Sequence, residues 1–180
     1  MKKNNINTKD KVEFMQIISD IAKNQTVQEM KHYRQHYETS CFEHCLEVSY
    51  ISYIICKKLG LDYTSAARAG LLHDLFLYDW RDSKKKLNLK RYHAFIHPEI
   101  ALENSLKLFN LNDKEQDIIV KHMWPVTLFK LPKYKESFII TLVDKYSALR
   151  SSRDYYCNLL GKKNIVKYAY IFLAVLIFNI

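Results

Sequence analysis

Residues 66–76 read AARAGLLHDLF, and apart from Arg68 and the adjacent His73 and Asp74 every residue in the run is apolar or small. Thr64 or Ser65, just upstream, is a ready N-cap, so the run reads as a helix pressed into a core. Ionisable groups in such a setting need partners, because an isolated charge removed from water is costly and changes its protonation state instead. A bound cation is the obvious partner for an imidazole beside a carboxylate. Side chains at successive helical positions point about 100° apart, so two neighbours grip one ion only where the helix face looks into a cleft.

The same periodicity extends on both sides. Upstream, Asp10 caps a helix through Ala22, a short helix covers Val27 to Tyr37, and Thr39 or Ser40 starts a longer one through Leu59, stopped by Gly60. That longer helix turns Leu46, Ile51, Ile54 and Ile55 inward and carries His44. Downstream, an irregular basic connection runs from Tyr78 to about Ile96, and long connections in compact domains are often functional. His97-Pro98 then opens a helix through Phe109, Asn112 or Asp113 caps another through His122, and Trp124-Pro125 follows. Glu136 to Leu149 forms a further helix, with Asp144 in the largely apolar run IITLVDKYSAL. Only three glycines and three prolines occur, too few for the many sharp turns of a sandwich or barrel. The expected fold is an all-α, single compact helical bundle.

With 180 residues, 48% of them hydrophobic, the chain closes one core and is short for two. We expect a single domain over residues 1–180, with its core at about 38–150 and helical extensions on either side. The formal charge of +9 and pI of about 9.3 attract anions generally, so a phosphorylated metabolite, nucleic acid and an acidic membrane surface are all served. The densest basic run, Lys84-Lys85-Lys86 with Lys90 and Arg91, reads as a solvated loop. No nucleic-acid-binding motif accompanies it. The apolar stretch Tyr168 to Ile180 is shorter than the roughly 20 residues of a membrane span, and Lys162, Lys163 and Lys167 flank it closely. It reads as a buried final helix, with a membrane-surface contact or a homodimer contact as the alternative. Four cysteines lie in apolar stretches and no signal-peptide pattern opens the sequence, so reduced thiols in a cytoplasm are expected. Cys41, His44 and Cys45 are close together, but their spacing is not that of a zinc finger or ribbon, and helix packing is the expected role of both thiols.

Six residues of metal-ligand type fall at helix positions or helix ends: His44, His73, Asp74, His97, His122 and Asp144. Imidazole with carboxylate suits divalent manganese, iron, cobalt, nickel, zinc or magnesium. A lone histidine is more often a core or surface residue than a ligand; the adjacent His-Asp pair is what raises the metal reading.

The order of a His, a distant His-Asp dyad and a final Asp resembles the HD superfamily of metal-dependent phosphohydrolases. It is carried by His44, by His73-Asp74 within AGLLHDLF, and by Asp144 within LVDKY, and covers roughly Phe42 to Leu149. The resemblance implies that His44, His73, Asp74 and Asp144 hold one divalent ion. His97-Pro98 and His122 stand where binuclear members place two further histidines, with the dyad Asp bridging both ions; the alternative is a mononuclear site in which these two bond phosphate or water. Branches that cleave cyclic dinucleotides carry Gly-Lys after the dyad and a GYP motif, whereas this chain has Leu75-Phe76-Leu77-Tyr78 and no GYP, which argues against cyclic di-GMP. The spacing is closer to bacterial members that hydrolyse dinucleoside polyphosphates, without enough agreement elsewhere to assign that substrate.

The implied reaction is hydrolysis of a phosphomonoester or phosphoanhydride, of a nucleotide or similar small phosphorylated metabolite, by metal-activated water. Asp74 then bridges the ions and orients the water. Lys145, Arg81, Lys121 and Arg91 are the cationic candidates for steadying phosphate. His93 can donate to a phosphate or protonate a leaving group. Asp79 and Asp82 serve a second metal or, more simply, pair with Arg81 and the lysines. Tyr78, Trp80, Tyr92 and Trp124 offer faces for a base, against the ordinary reading of aromatics as core. The competing readings are a non-catalytic HD-type module that binds nucleotide or metal as a regulator, and a nucleic-acid or membrane-surface binder using the +9 charge.

Overall fold

A computed structural model of the chain describes residues 8–36, 39–80 and 93–160. The bundle is organised around helix α4 (Cys41–Lys58) and helix α5 (Tyr63–Leu72). Ser40 starts α4 with a capping box, its hydroxyl accepting from the Glu43 amide at 3.2 Å while the Glu43 carboxylate accepts from the Ser40 amide at 3.0 Å. Gly60, at φ +65°, ends it. The cap of α5 is Asp62, which accepts from the Ser65 amide at 3.0 Å. Thr64 and Ser65, expected as caps, lie in the first turn instead.

α4 and α5 approach almost backbone to backbone. A methyl group built on Gly70 would stand 2.8 Å from Ser49 Cα and 3.1 Å from Ile140 Cδ1, and the Ser49 hydroxyl donates to the Ala67 carbonyl at 2.6 Å. Small residues at 66, 67, 69 and 70 permit this contact, which is why an alanine-rich run forms the central helix. Around it pack α1 (Thr8–Ile17), α2 (Ser19–Ala22), α6 (His93–Leu108), α7 (Asp113–Lys121) and α8 (Lys135–Leu160). Phe14, Ile18, Ile21, Val48, Leu71, Leu72, Phe76, Ile118, Ile119 and Ile140 form the buried core. Arg68, the other charge in the central run, ties these layers together through Asp20 at 2.8 Å, the Ile17 carbonyl and Glu115.

Several boundaries differ from expectation. The first helix breaks at Ile18 into α1 and α2. The helix expected from Val27 to Tyr37 is a single turn, α3 (Gln25–Gln28), capped by Asn24, then a 3-10 turn (Glu29–His32) and strand β1 (Arg34–His36) against β2 (Thr39–Ser40). Its KHYRQH sequence offers no continuous apolar stripe to bury, so the chain pairs as a short ribbon instead. α6 begins at His93 rather than His97, placing Pro98 inside the helix. α8 continues well past Leu149. The basic run at 84–91 and the apolar stretch at 168–180 lie outside the described residues. Among the described residues, no helix is long and apolar enough to cross a membrane.

Gly70→Ala tests the central contact. Alanine gains up to about 1 kcal/mol of helix propensity, but overpacking of this kind costs roughly 1–3 kcal/mol. A lowered urea midpoint is expected, and an unchanged or raised one would show that α4 and α5 are not held this closely.

Candidate metal centre

Four helices and one turn bring the six residues together. His44 stands one turn into α4, His97 in the early turns of α6, His122 is the residue that ends α7, and Asp144 lies within α8. The dyad is not within a helix, as had been expected: α5 stops at Leu72, His73 caps it, and the chain turns with the Leu75 amide on the Leu72 carbonyl at 3.0 Å and the Phe76 amide on the Asp74 carbonyl at 2.7 Å. Leaving the helix at this point frees the two side chains from the 100° divergence of successive helical positions, and both face one cleft.

Two groups share Asp74. In the first, His44 Nε2 lies 3.0 Å from Asp144 Oδ1, and His73 Nε2 lies 3.7 Å from that oxygen and 3.5 Å from Asp74 Oδ2. In the second, Asp74 Oδ1 faces His97 Nε2 at 3.2 Å and His122 Nε2 at 3.3 Å. Three of the rings have their far nitrogens fixed by backbone carbonyls. His73 Nδ1 donates to Gly70 O at 2.8 Å, His97 Nδ1 to His93 O at 2.9 Å, and His122 Nδ1 to Ile119 O at 2.7 Å. In the neutral ring each Nε2 is therefore a lone pair aimed into the centre.

This arrangement fits a divalent cation. His73 Nε2 and Asp74 Oδ1 are buried without a hydrogen-bond partner, and the Nε2 atoms of His97 and His122 stand 2.8 Å apart. Two such lone pairs repel unless a proton or a cation intervenes. Without an ion, electrostatics do what they can. Burial opposes charge on His73, but the Asp74 carboxylate prevails and holds the imidazole well above its usual range. Burial likewise opposes ionised Asp74 and Asp144, yet the surrounding histidines, His73 for the first and His44 and His73 for the second, hold both carboxyls well below theirs. Burial pushes His122 down despite Asp74.

The remaining expected residues separate. Lys145 reaches the centre: its Nζ donates to the His122 carbonyl at 3.0 Å and lies 3.9 Å from Asp144 Oδ2, with burial lowering its pKa. His93 lies under the centre, stacked on His97 with ring centroids 4.5 Å apart, and its Nδ1 is hydrogen-bonded to the Tyr78 hydroxyl at 3.0 Å. Burial and His97 bring its imidazole down to about 4, so at neutral pH the ring stacked on His97 is uncharged. Lys121 is ion-paired to Asp117, one turn back along α7. Trp124 packs edge-on against Phe138, whereas Trp80 stacks over His93. Arg81, Asp82, Arg91 and Tyr92 lie outside the described residues.

Two contacts escaped the sequence reading. Gln35 Nε2 donates to Asp74 Oδ2 at 2.5 Å, and the Cys41 thiol donates to the Asp74 carbonyl at 3.2 Å. Gln35 had been assigned to a helix, and no local pattern distinguishes it.

The family model for the HD domain matches residues 41–149, a span that contains all six residues. The chain belongs to the HD domain family, which marks the metal-dependent phosphohydrolase superfamily. Over 43 residues it is 46% identical to Ribonuclease Y of Clostridium tetani and to Ribonuclease Y of Clostridium perfringens strain 13, and 44% identical to Ribonuclease Y of Geobacter sulfurreducens. Each match covers 24% of this chain and 8% of the relative. No solved structure matches the chain.

Gln35→Ala removes the bond that orients Asp74. Losing an outer partner of a metal ligand typically costs about 10–100-fold in affinity, so a chelator competition should show a drop of that order with the circular dichroism unchanged. Metal retention equal to that of the wild type would mean that Asp74 needs no such support.

Proposed function

We propose that this chain is a metal-dependent phosphohydrolase that cleaves a phosphomonoester or phosphoanhydride, in a nucleotide or related small phosphorylated metabolite. The observation that carries the reading is the Asp74 carboxylate set between two histidine groups, one oxygen toward each. His44, His73, Asp74 and Asp144 would hold one divalent ion, and Asp74, His97 and His122 a second; nitrogen and carboxylate donors suit manganese, iron, cobalt, nickel, zinc or magnesium. Such ions supply a nucleophile from water near neutral pH and neutralise phosphoryl charge.

The protein's own groups do the rest. Lys145, anchored by the His122 carbonyl, presents a half-buried ammonium at the edge of the centre. There it can draw in a phosphate and hold its developing negative charge. His93 and the Tyr78 hydroxyl brace His97 from below. The whole unit acts as one domain, with the family core at about 38–150.

A second reading is favoured by one finding, the short matches to proteins named Ribonuclease Y: hydrolysis of a phosphodiester in RNA, to which the charge of +9 would lend attraction. A panel of phosphate monoesters, nucleotides, dinucleoside polyphosphates and single-stranded RNA, assayed with added manganese, separates the two. Release of phosphate or nucleotide from small substrates, lost in Asp74→Asn along with bound metal, is expected. Cleavage of RNA alone would move the assignment to a nuclease, and a metal-loaded chain that turns over nothing would make it a regulatory binding module.

Lys145→Met should lower kcat on the order of a hundredfold, the usual scale for removing one charge-stabilising donor, with metal content unchanged. An undiminished kcat would place phosphate stabilisation elsewhere.

A further inference from the structure

On the face of α4 that lies under the dyad, a second kind of donor set adjoins the centre. Cys41 and Cys45, four residues apart on one helical face, are fully buried, and their thiols and a carboxylate oxygen of Asp74 all lie within 4.8 Å of one another. His44, between them in sequence, turns away to Asp144. The thiol pair is thus completed by the carboxylate of the dyad. Cys56 and Cys157 belong to no such cluster among the described residues.

We propose that Cys41, Cys45 and Asp74 form a binding site for one thiophilic divalent ion, such as zinc or cadmium, distinct from the His/Asp centre but sharing Asp74 with it. Two sulfurs and one carboxylate are three of the four donors of a tetrahedral site. Sulfur selects soft and borderline ions and gives little to magnesium or manganese, which the imidazole and carboxylate groups serve. Each metal–sulfur bond forms as a thiol proton passes to solvent, so loading releases protons and involves no change of oxidation state. Because Asp74 serves both sets, a thiophilic ion draws on the carboxylate that the His/Asp centre needs. The consequence is sensitivity of that centre to cadmium. The site itself stands or falls independently of whether the chain hydrolyses a phosphate.

The probe is cadmium alone, added to the full chain under reducing conditions and followed by thiolate-to-cadmium charge-transfer absorption in the ultraviolet. The expected result is a band that saturates, persists in Cys56→Ala/Cys157→Ala and is abolished in Cys41→Ala/Cys45→Ala. Absence of the band in wild type, or its loss in the first variant and survival in the second, overturns the proposal. Should the core substitutions prevent folding, X-ray absorption at the cadmium edge on the wild-type protein decides: two sulfurs around an ion support the site, and a shell of oxygen and nitrogen alone refutes it.

Discussion

The carboxylate of Asp74 is the contact on which the remaining geometry depends. It is almost completely buried, and its two oxygens face different neighbours, Oδ2 toward His73 and Gln35 and Oδ1 toward His97 and His122. A carboxylate removed from water costs several kcal/mol unless compensated. Here the compensation comes from α5, α6, α7 and the β1 ribbon together, so each of these elements is held in place partly by what it offers to one side chain. Asp144 extends the same logic to α4 and α8 through His44.

The packing at Gly70 sets where that carboxylate stands. Because Gly70 lets α5 lie against Ser49 on α4, the end of α5 is drawn deep into the bundle and its last carbonyls are buried. The Gly70 carbonyl then accepts from His73 Nδ1, which fixes the ring and leaves Nε2 toward the cleft. One residue thus links close helix packing to the orientation of a proposed ligand. The same device recurs at Ile119 with His122 and at His93 with His97: backbone carbonyls near the site serve as the outer partners of the rings.

The sequence disclosed more of the centre than of its supports. An ionisable pair in an apolar run is a strong signal, and it was the resemblance to the HD superfamily that joined the other histidines and Asp144 to it. What could not be read was the ending of α5 at Leu72. AARAGLLHDLF keeps a helical character through Phe76, and only tertiary demand for a turn at His73 stops it. Gln35 was hidden for a related reason, since a polar segment such as KHYRQH carries no periodic signature and is shaped by what it meets. Pro98 misled in the opposite direction: proline favours the first turn of a helix, but α6 begins a turn earlier, where His93 stacks on the buried His97.

Charge balance explains why a structure of this kind is better suited to a cation than to a purely hydrogen-bonded core. Two carboxylates, Asp74 and Asp144, are kept ionised, while the principal positive charge the protein itself can place among them is a proton on His73. Lys145 stands at the margin, with burial weakening its hold on a proton. A protonated His73 satisfies the electrostatics but leaves the facing nitrogens of His97 and His122 in opposition. A divalent ion held by these residues would relieve both, taking the place of the proton and using the opposed lone pairs as donors. The imidazoles, the two carboxylates and the Lys145 ammonium are in this sense a single electrostatic arrangement.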